Sequence, residues 1–227
     1  MRNPSLANLT RPRARIAIFG SFYRGYFVLD ELLHGELRAR VEVVGVATDN
    51  PSNSFISASR RVWQYPHTEQ EETMVHDLAQ SRGLDVYRER INEDVFHQLF
   101  EQEWRPDLCI MATFGQKITA RTFGFPALGF FNLHPCTDDG WPSRYAGGNP
   151  FQALQANRET HTKIAMHWVD EGFDTGKLLA YSQAVAIPPS ASVTDLHKIT
   201  AATAAELAVR EIRGILDRRD CLCPAPP

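Results

Sequence analysis

Long apolar runs are missing from this sequence: in 227 residues none approaches the roughly 20 that a membrane-spanning helix needs. Residues 1–15 are polar and basic, without the apolar stretch of a signal peptide, so a cytoplasmic location is expected. An excess of positive charge is absent too. The net charge of −3 argues against broad nucleic-acid binding, which normally shows a basic face. Cysteine is scarce, with four residues, and follows no metal-ligand spacing. Cys109 lies in an apolar run and Cys136 follows His134-Pro135, while Cys221 and Cys223 fall in a Pro-rich end that reads as a frayed tail. No metal is expected, and the sequence holds neither internal repeats nor low-complexity segments.

What is present suits a single core: 43% hydrophobic and 22% charged residues is an ordinary globular balance. Ile16, Ala17, Ile18 and Phe19 form an apolar run ending at Gly20, as a buried parallel strand feeding a loop would. Tyr26, Phe27, Leu29, Leu32 and Leu33 follow at helical spacing, and residues 41–47 read as a second buried strand. Residues 49–70 lose all periodicity, and a loop of that length is commonly functional or mobile. Beyond it the pattern predicts helices over 71–82 and 92–100, strands over 84–87 and 107–112, and a strand over 129–135 ended by Pro135. Residues 149–156 read as helical, 161–169 and 177–187 as strands, and a long amphipathic helix starts at a Ser192-Val193-Thr194-Asp195 capping box. The expected architecture is α/β and Rossmann-like: a mostly parallel sheet with flanking helices and an antiparallel or mixed edge. Residues 1–14 form a flexible segment, 15–218 the domain, and 219–227 a disordered tail. The terminal helix either completes the core or mediates homodimerisation.

Three segments carry candidate chemistry. Gly20-Ser21-Phe22-Tyr23-Arg24-Gly25 sits where α/β folds bind anions, yet it lacks phosphate-loop spacing and its aromatics obstruct the backbone, so a plain strand-to-helix turn is the stronger reading. In Asn132-Leu133-His134-Pro135, strand alternation aims Asn132 and His134 at one face, at the C-terminal strand end where open α/β sheets hold ligands. An amide donor beside an imidazole suits acyl transfer: one stabilises an oxyanion and the other exchanges protons near neutral pH. The third segment is Asp170-Glu171-Gly172-Phe173-Asp174-Thr175-Gly176, whose acids are turn formers or catalytic groups.

Taken in order, Asn132-Leu133-His134-Pro135, then Arg144-Tyr145 with Gly147-Gly148, then residues 169–176 resemble the signature of the 10-formyltetrahydrofolate-dependent formyltransferases. That family includes the transformylases for glycinamide ribonucleotide, methionyl-tRNA and amino sugars. The resemblance covers residues 15–176, including Met111-Ala112-Thr113-Phe114-Gly115-Gln116-Lys117-Ile118. It implies an N-formyltransferase with Asn132, His134 and Asp174 as the catalytic trio and N10-formyltetrahydrofolate as co-substrate. The pterin would lie along Phe114, Gly115, Gln116, Lys117 and Ile118 and along Val169, Asp170, Glu171, Gly172 and Phe173. The acceptor would meet Ser21, Phe22, Tyr23, Asp138, Asp139, Trp141, Arg144 and Tyr145.

The sequence departs from the family between His134 and Arg144. Many members carry a short Ser-Leu-Leu-Pro link there, whereas residues 136–143 are longer and acidic. Asp138 and Asp139 would attract a cationic acceptor and repel a phosphate-rich one. The resemblance therefore points to a small-molecule amine: a nucleotide-linked amino sugar stacked on Phe22, Tyr23 or Trp141, or an amino-acid-derived amine such as hydroxyornithine. Glycinamide ribonucleotide fits less well, because Phe22 and Tyr23 replace small residues of the phosphate loop. Transfer RNA is the least expected acceptor, since its enzymes carry a further C-terminal domain and this chain is net negative. Hydrolysis of the formyl-folate is the alternative reaction, and a non-catalytic nucleotide-binding module the alternative class.

Overall fold

A computed structural model describes residues 11–56, 62–137 and 140–222. Eight strands form one mixed sheet in the order β3-β2-β1-β4-β5-β6-β7, with β8 also paired to β6. They are β1 (Ala14–Gly20), β2 (Val41–Ala47), β3 (Val86–Tyr87), β4 (Leu108–Ala112), β5 (Gly129–Cys136), β6 (His161–Trp168), β7 (Leu178–Tyr181) and β8 (Val185–Ala186). Every pairing from β3 to β5 is parallel, and every pairing of β6 is antiparallel. The expected parallel sheet with an antiparallel edge is present. No helix among the described residues is long and apolar enough to cross a membrane.

Strand alternation sorts the core. Ile16 and Ile18 of β1 and Phe131 and Leu133 of β5 face helices α1 (Phe22–His34), α2 (Glu69–Ser81) and α6 (Val193–Leu222). Ala17, Phe19 and Phe130 face the opposite side, against Phe96 of α3 (Asp94–Gln98) and Phe100 and Trp104 beyond it. Removing an aromatic side chain of this size from water contributes about 2–3 kcal/mol. α3 does not stop where the spacing predicts: it continues as a π-helix over Leu99–Trp104 and ends at left-handed Arg105, before Pro106. Two shorter helices follow, α4 (Ala120–Phe123), which the pattern does not predict, and α5 (Pro150–Ala156) with proline in its first turn.

Among the boundaries that differ from expectation, three have a clear structural cause. β5 runs through Pro135 to Cys136, because β4 pairs with β5 only as far as Met111↔Asn132; from Leu133 onward β5 has β6 alone, an edge-like position that tolerates proline. The single strand expected over 177–187 is two, since Ser182 Oγ accepts from the Ile164 N–H at 2.9 Å and takes over a ladder bond at the break. The terminal helix reaches Leu222, past the expected start of a disordered tail at 219, and Arg40 clamps it to the sheet through Asp217 (2.7 Å) and Asp220 (2.8 Å). Its apolar residues lie in the core beside α1, so it completes the fold. Residues 1–10 and Cys223 lie outside the described residues.

The β1–α1 turn brings strand and helix into close contact. A Cβ on Gly20 would lie 2.9 Å from Gly25 Cα, and one on Gly25 2.7 Å from the Gly20 carbonyl carbon, so both positions need glycine for strand and helix to approach.

Candidate active site

A cleft opens at the C-terminal ends of β1, β4 and β5, where β5 outruns β4. Asn132 and His134 project into it from β5, as their alternation predicts, and Asp174 reaches them from the β6–β7 loop. Asn132 Nδ2 donates to Asp174 Oδ1 at 2.8 Å, and His134 Nδ1 lies 3.4 Å from Asp174 Oδ2. The Gly147 N–H also donates to Oδ2, at 2.8 Å. Asp174 holds a left-handed backbone (φ 55°), as does Thr113 in the facing wall (φ 61°). Such conformations cost of order 1–3 kcal/mol in residues with a Cβ and concentrate at functional sites.

One member of this cluster escapes a reading of the sequence. His167 pairs directly across from Asn132 in the β5–β6 ladder. Its Nε2 lies 3.2 Å from Asn132 Nδ2 and 3.5 Å from Asp174 Oδ1. Its Nδ1 must donate to the Trp168 carbonyl, 2.8 Å away, because a carbonyl only accepts.

The same accounting sets the state of His134. Nε2 carries the hydrogen, donated to the Tyr145 carbonyl at 2.9 Å. Burial pushes the imidazole below its ordinary pKa, against the opposing pull of Asp174 and the Tyr145 carbonyl. Neutral His134 therefore keeps an unprotonated Nδ1 beside Asp174. Burial pushes Asp174 up, but His134, His167 and the Gly147 N–H outweigh it and hold the carboxyl at about 2. The Asn132 amide and the Gly147 N–H donate to this carboxylate in either protonation state of His134.

Of the residues expected along the folate, Phe114, Gly115, Gln116, Lys117 and Ile118 line one wall of the cleft and Val169, Asp170, Gly172 and Phe173 another. Glu171 is exposed and lies outside the lining. Phe173 is 58% exposed at the mouth, with Lys117 Nζ 5.2 Å from its ring centre. Asp49 fixes the first wall by accepting from the Gly115 N–H at 3.0 Å.

The expected acceptor residues divide. Ser21 is buried, and its Oγ accepts from the Asp49 N–H at 2.9 Å. Phe22 cannot stack on a substrate ring, because it is packed among Ile56, Val62 and Trp63 and is 1% exposed. The Tyr23 hydroxyl is spent on Glu71, which also pairs with Lys198, away from the cleft. Trp141 donates from Nε1 to the Gly176 carbonyl at 2.7 Å and lays its ring 4.7 Å from that of His167, so it ties two loops together. Arg144 and the Tyr145 hydroxyl both bond Glu159, leaving the Tyr145 carbonyl as the group that touches His134. Asp138 and Asp139 lie outside the described residues.

Arg24, from the candidate β1–α1 segment, and His197, which no motif singles out, also line the cleft. Arg24 Nη1 donates to Thr113 Oγ1 at 3.1 Å and to the Leu133 carbonyl at 3.4 Å, directly behind the strand that carries Asn132 and His134.

The site thus sets an amide, an imidazole and a buried carboxylate at the C-terminal edge of an open α/β sheet, the edge where such sheets hold ligands. The formyl transferase family matches residues 14–212, and the chain belongs to it. Methionyl-tRNA formyltransferase of Syntrophus aciditrophicus is 32% identical over 123 residues, covering 54% of this chain and 38% of the relative. That of Thermus thermophilus is 26% identical over 215 residues, covering 93% and 62%. The chain thus spans less than two thirds of these curated relatives. Among solved structures, glycinamide ribonucleotide transformylase 1 from Symbiobacterium toebii superposes with a TM-score of 0.67 at 16% identity, covering 91% of this chain and 89% of that one. A formyltetrahydrofolate deformylase from Pseudomonas syringae gives 0.65 at 13% identity, covering 92% and 63%. These structures share the fold.

Proposed function

We propose that this protein transfers the formyl group of N10-formyltetrahydrofolate to the amino group of a small-molecule acceptor. The observation that carries this reading is Asp174, which accepts from the Asn132 amide at 2.8 Å and sets its other oxygen 3.4 Å from His134 Nδ1, placed to pair with the imidazolium once that nitrogen takes a proton. The acceptor nitrogen attacks the formyl carbon, and the carbonyl oxygen gains the negative charge. Asn132 Nδ2 donates a hydrogen bond to that oxygen. His134 Nδ1 takes the proton released by the attacking amine, and the imidazolium so formed pairs with ionised Asp174. The carbon–N10 bond then breaks, with the proton passing to N10 of the departing tetrahydrofolate. Residues 114–118 on one wall and Val169, Asp170, Gly172 and Phe173 on another leave a slot for the flat pterin ring.

The burial of Phe22 and the engagement of Trp141 with His167 remove the aromatic surface that favoured a nucleotide-linked sugar, so a small amino-acid-derived amine is the better acceptor. The test is a panel of amines incubated with purified protein and 10-formyltetrahydrofolate, read by mass spectrometry for one added formyl group. Free formate is measured in parallel; formate without any formylated amine would replace transfer by hydrolysis.

A further inference from the structure

Arg24 poses a polar problem that the transfer step does not use. It is the third residue of α1 and only 3% exposed. Nη1 is bonded to Thr113 and Leu133, but Nε and Nη2 have no partner. Those two N–H groups lie parallel along one edge of the guanidinium, the edge that meets both oxygens of a carboxylate or phosphate at once. No carboxylate among the described residues pairs with Arg24, and burial alone pulls it down to about 10. A buried charge with two idle donors is costly unless something outside the chain completes it.

The surroundings repeat the pattern. The guanidinium lies over the Phe151 ring, 5.6 Å from its centre. His197 also packs on that ring, 4.8 Å away, and is buried with Nδ1 unpartnered. Tyr65 packs against the same cluster, and its hydroxyl is also without a partner. All three line the cleft that holds Asn132 and His134. Phe151 has no side-chain polar atom to offer any of them.

We propose that the Nε–Nη2 edge of Arg24, with His197 and Tyr65 beside it, binds an oxyanion carried by the acceptor, so that the amine to be formylated also bears a carboxylate or a phosphate. The anion site stands on geometry alone; its assignment to the acceptor rests on the transfer reading. Arg24 already depresses both His134 and His197 electrostatically. A bound anion offsets that charge and makes His134 a stronger base when the acceptor is seated.

The direct test follows the Arg24 Nε–H resonance of 15N-labelled protein, assigned by its disappearance in Arg24→Lys, during titration with sodium acetate, inorganic phosphate, sodium chloride and acetamide. The expected result is a saturable shift with acetate or phosphate and none with chloride or acetamide. The tighter of the two anions tells carboxylate from phosphate. A resonance indifferent to both anions overturns the site. Thermal melts give a second readout. The wild-type Tm rises with the effective anion, and Arg24→Met, which removes the unpaired charge, melts no lower without anion and does not respond to it. An anion response that persists in Arg24→Met also overturns the site. Should that variant not fold, Arg24→Lys keeps the charge without the fork and should bind at least about tenfold more weakly. None of these measurements needs folate or turnover, so their outcome is separate from that of the formyl-transfer assay. Transfer to amines lacking any acid group, with a KM unchanged in Arg24→Lys, would overturn the acceptor assignment while leaving formyl transfer standing.

Discussion

Asn132 and Asp174 are 42 residues apart in sequence and joined by a 2.8 Å bond from the amide nitrogen to Oδ1. Asn132 Nδ2 also lies 3.2 Å from His167 Nε2, so the amide is contacted on both sides within the cluster. Asp174→Asn should lower the single-turnover transfer rate by about a hundredfold to a thousandfold, the usual effect of disabling an oxyanion-stabilising group. Folate affinity, measured by fluorescence titration, should change little. An unchanged rate would remove Asp174 from the chemistry.

The acid behaviour of His134 and Asp174 has a defined sign. His134 is depressed below its ordinary pKa by burial, so the midpoint of the acid limb of transfer should lie below pH 6.5. Asp174→Asn removes a group that raises His134 and should move the acid limb of kcat/KM to still lower pH. Stability follows the same direction. The His134 contribution is present above about 6.5 and lost as pH falls below it. The Asp174 contribution, roughly 2 kcal/mol for a carboxyl held at about 2, is present above about pH 4 and lost as pH approaches 2. Urea unfolding measured across pH should show both declines, and a midpoint flat from pH 7 to 3 would contradict them.

Gly45 is fixed by packing. A Cβ there would fall 2.1 Å from the ring of Trp104, which is held by its Nε1 donating to Asp85 at 2.7 Å. Gly45→Ala should destabilise the fold by about 2 kcal/mol through overpacking, seen as a lower urea midpoint with unchanged slope.

Ser192 caps α6 reciprocally with Asp195: its Oγ accepts from the Asp195 N–H at 3.1 Å, and its own N–H donates to Asp195 Oδ2 at 2.9 Å. Ser192→Ala should cost about 1 kcal/mol by the same measurement. No loss would show that the long helix does not depend on its first turn.

The sequence makes the reactive strand legible because alternation is a local property: Phe131 and Leu133 go to the core and Asn132 and His134 to the cleft. His167 is illegible for the opposite reason. Its importance comes from register, Asn132↔His167, which is set by how two strands pair. Arg24 is legible only as part of the β1–α1 turn, and it is tertiary packing that buries it and brings it to the cleft. Phe22 misleads because its left-handed backbone (φ 59°) begins the helix with the ring packed inward. The Phe96, Phe100, Trp104 spacing fits an α-helix as well as the π-helix that forms, so periodicity cannot separate the two.

The position of α6 bears on how the chain comes into being. Its Ala204, Leu207, Ala208 and Ile212 share one core with Ile16 and Ile18 of β1 and with Val28 and Leu32 of α1. During synthesis β1 and α1 leave the ribosome long before α6, which packs on α1, β6 and β7. The apolar surface that α6 covers therefore stays exposed until residues 193–222 have emerged, and its protection in that interval falls to chaperones or to late collapse.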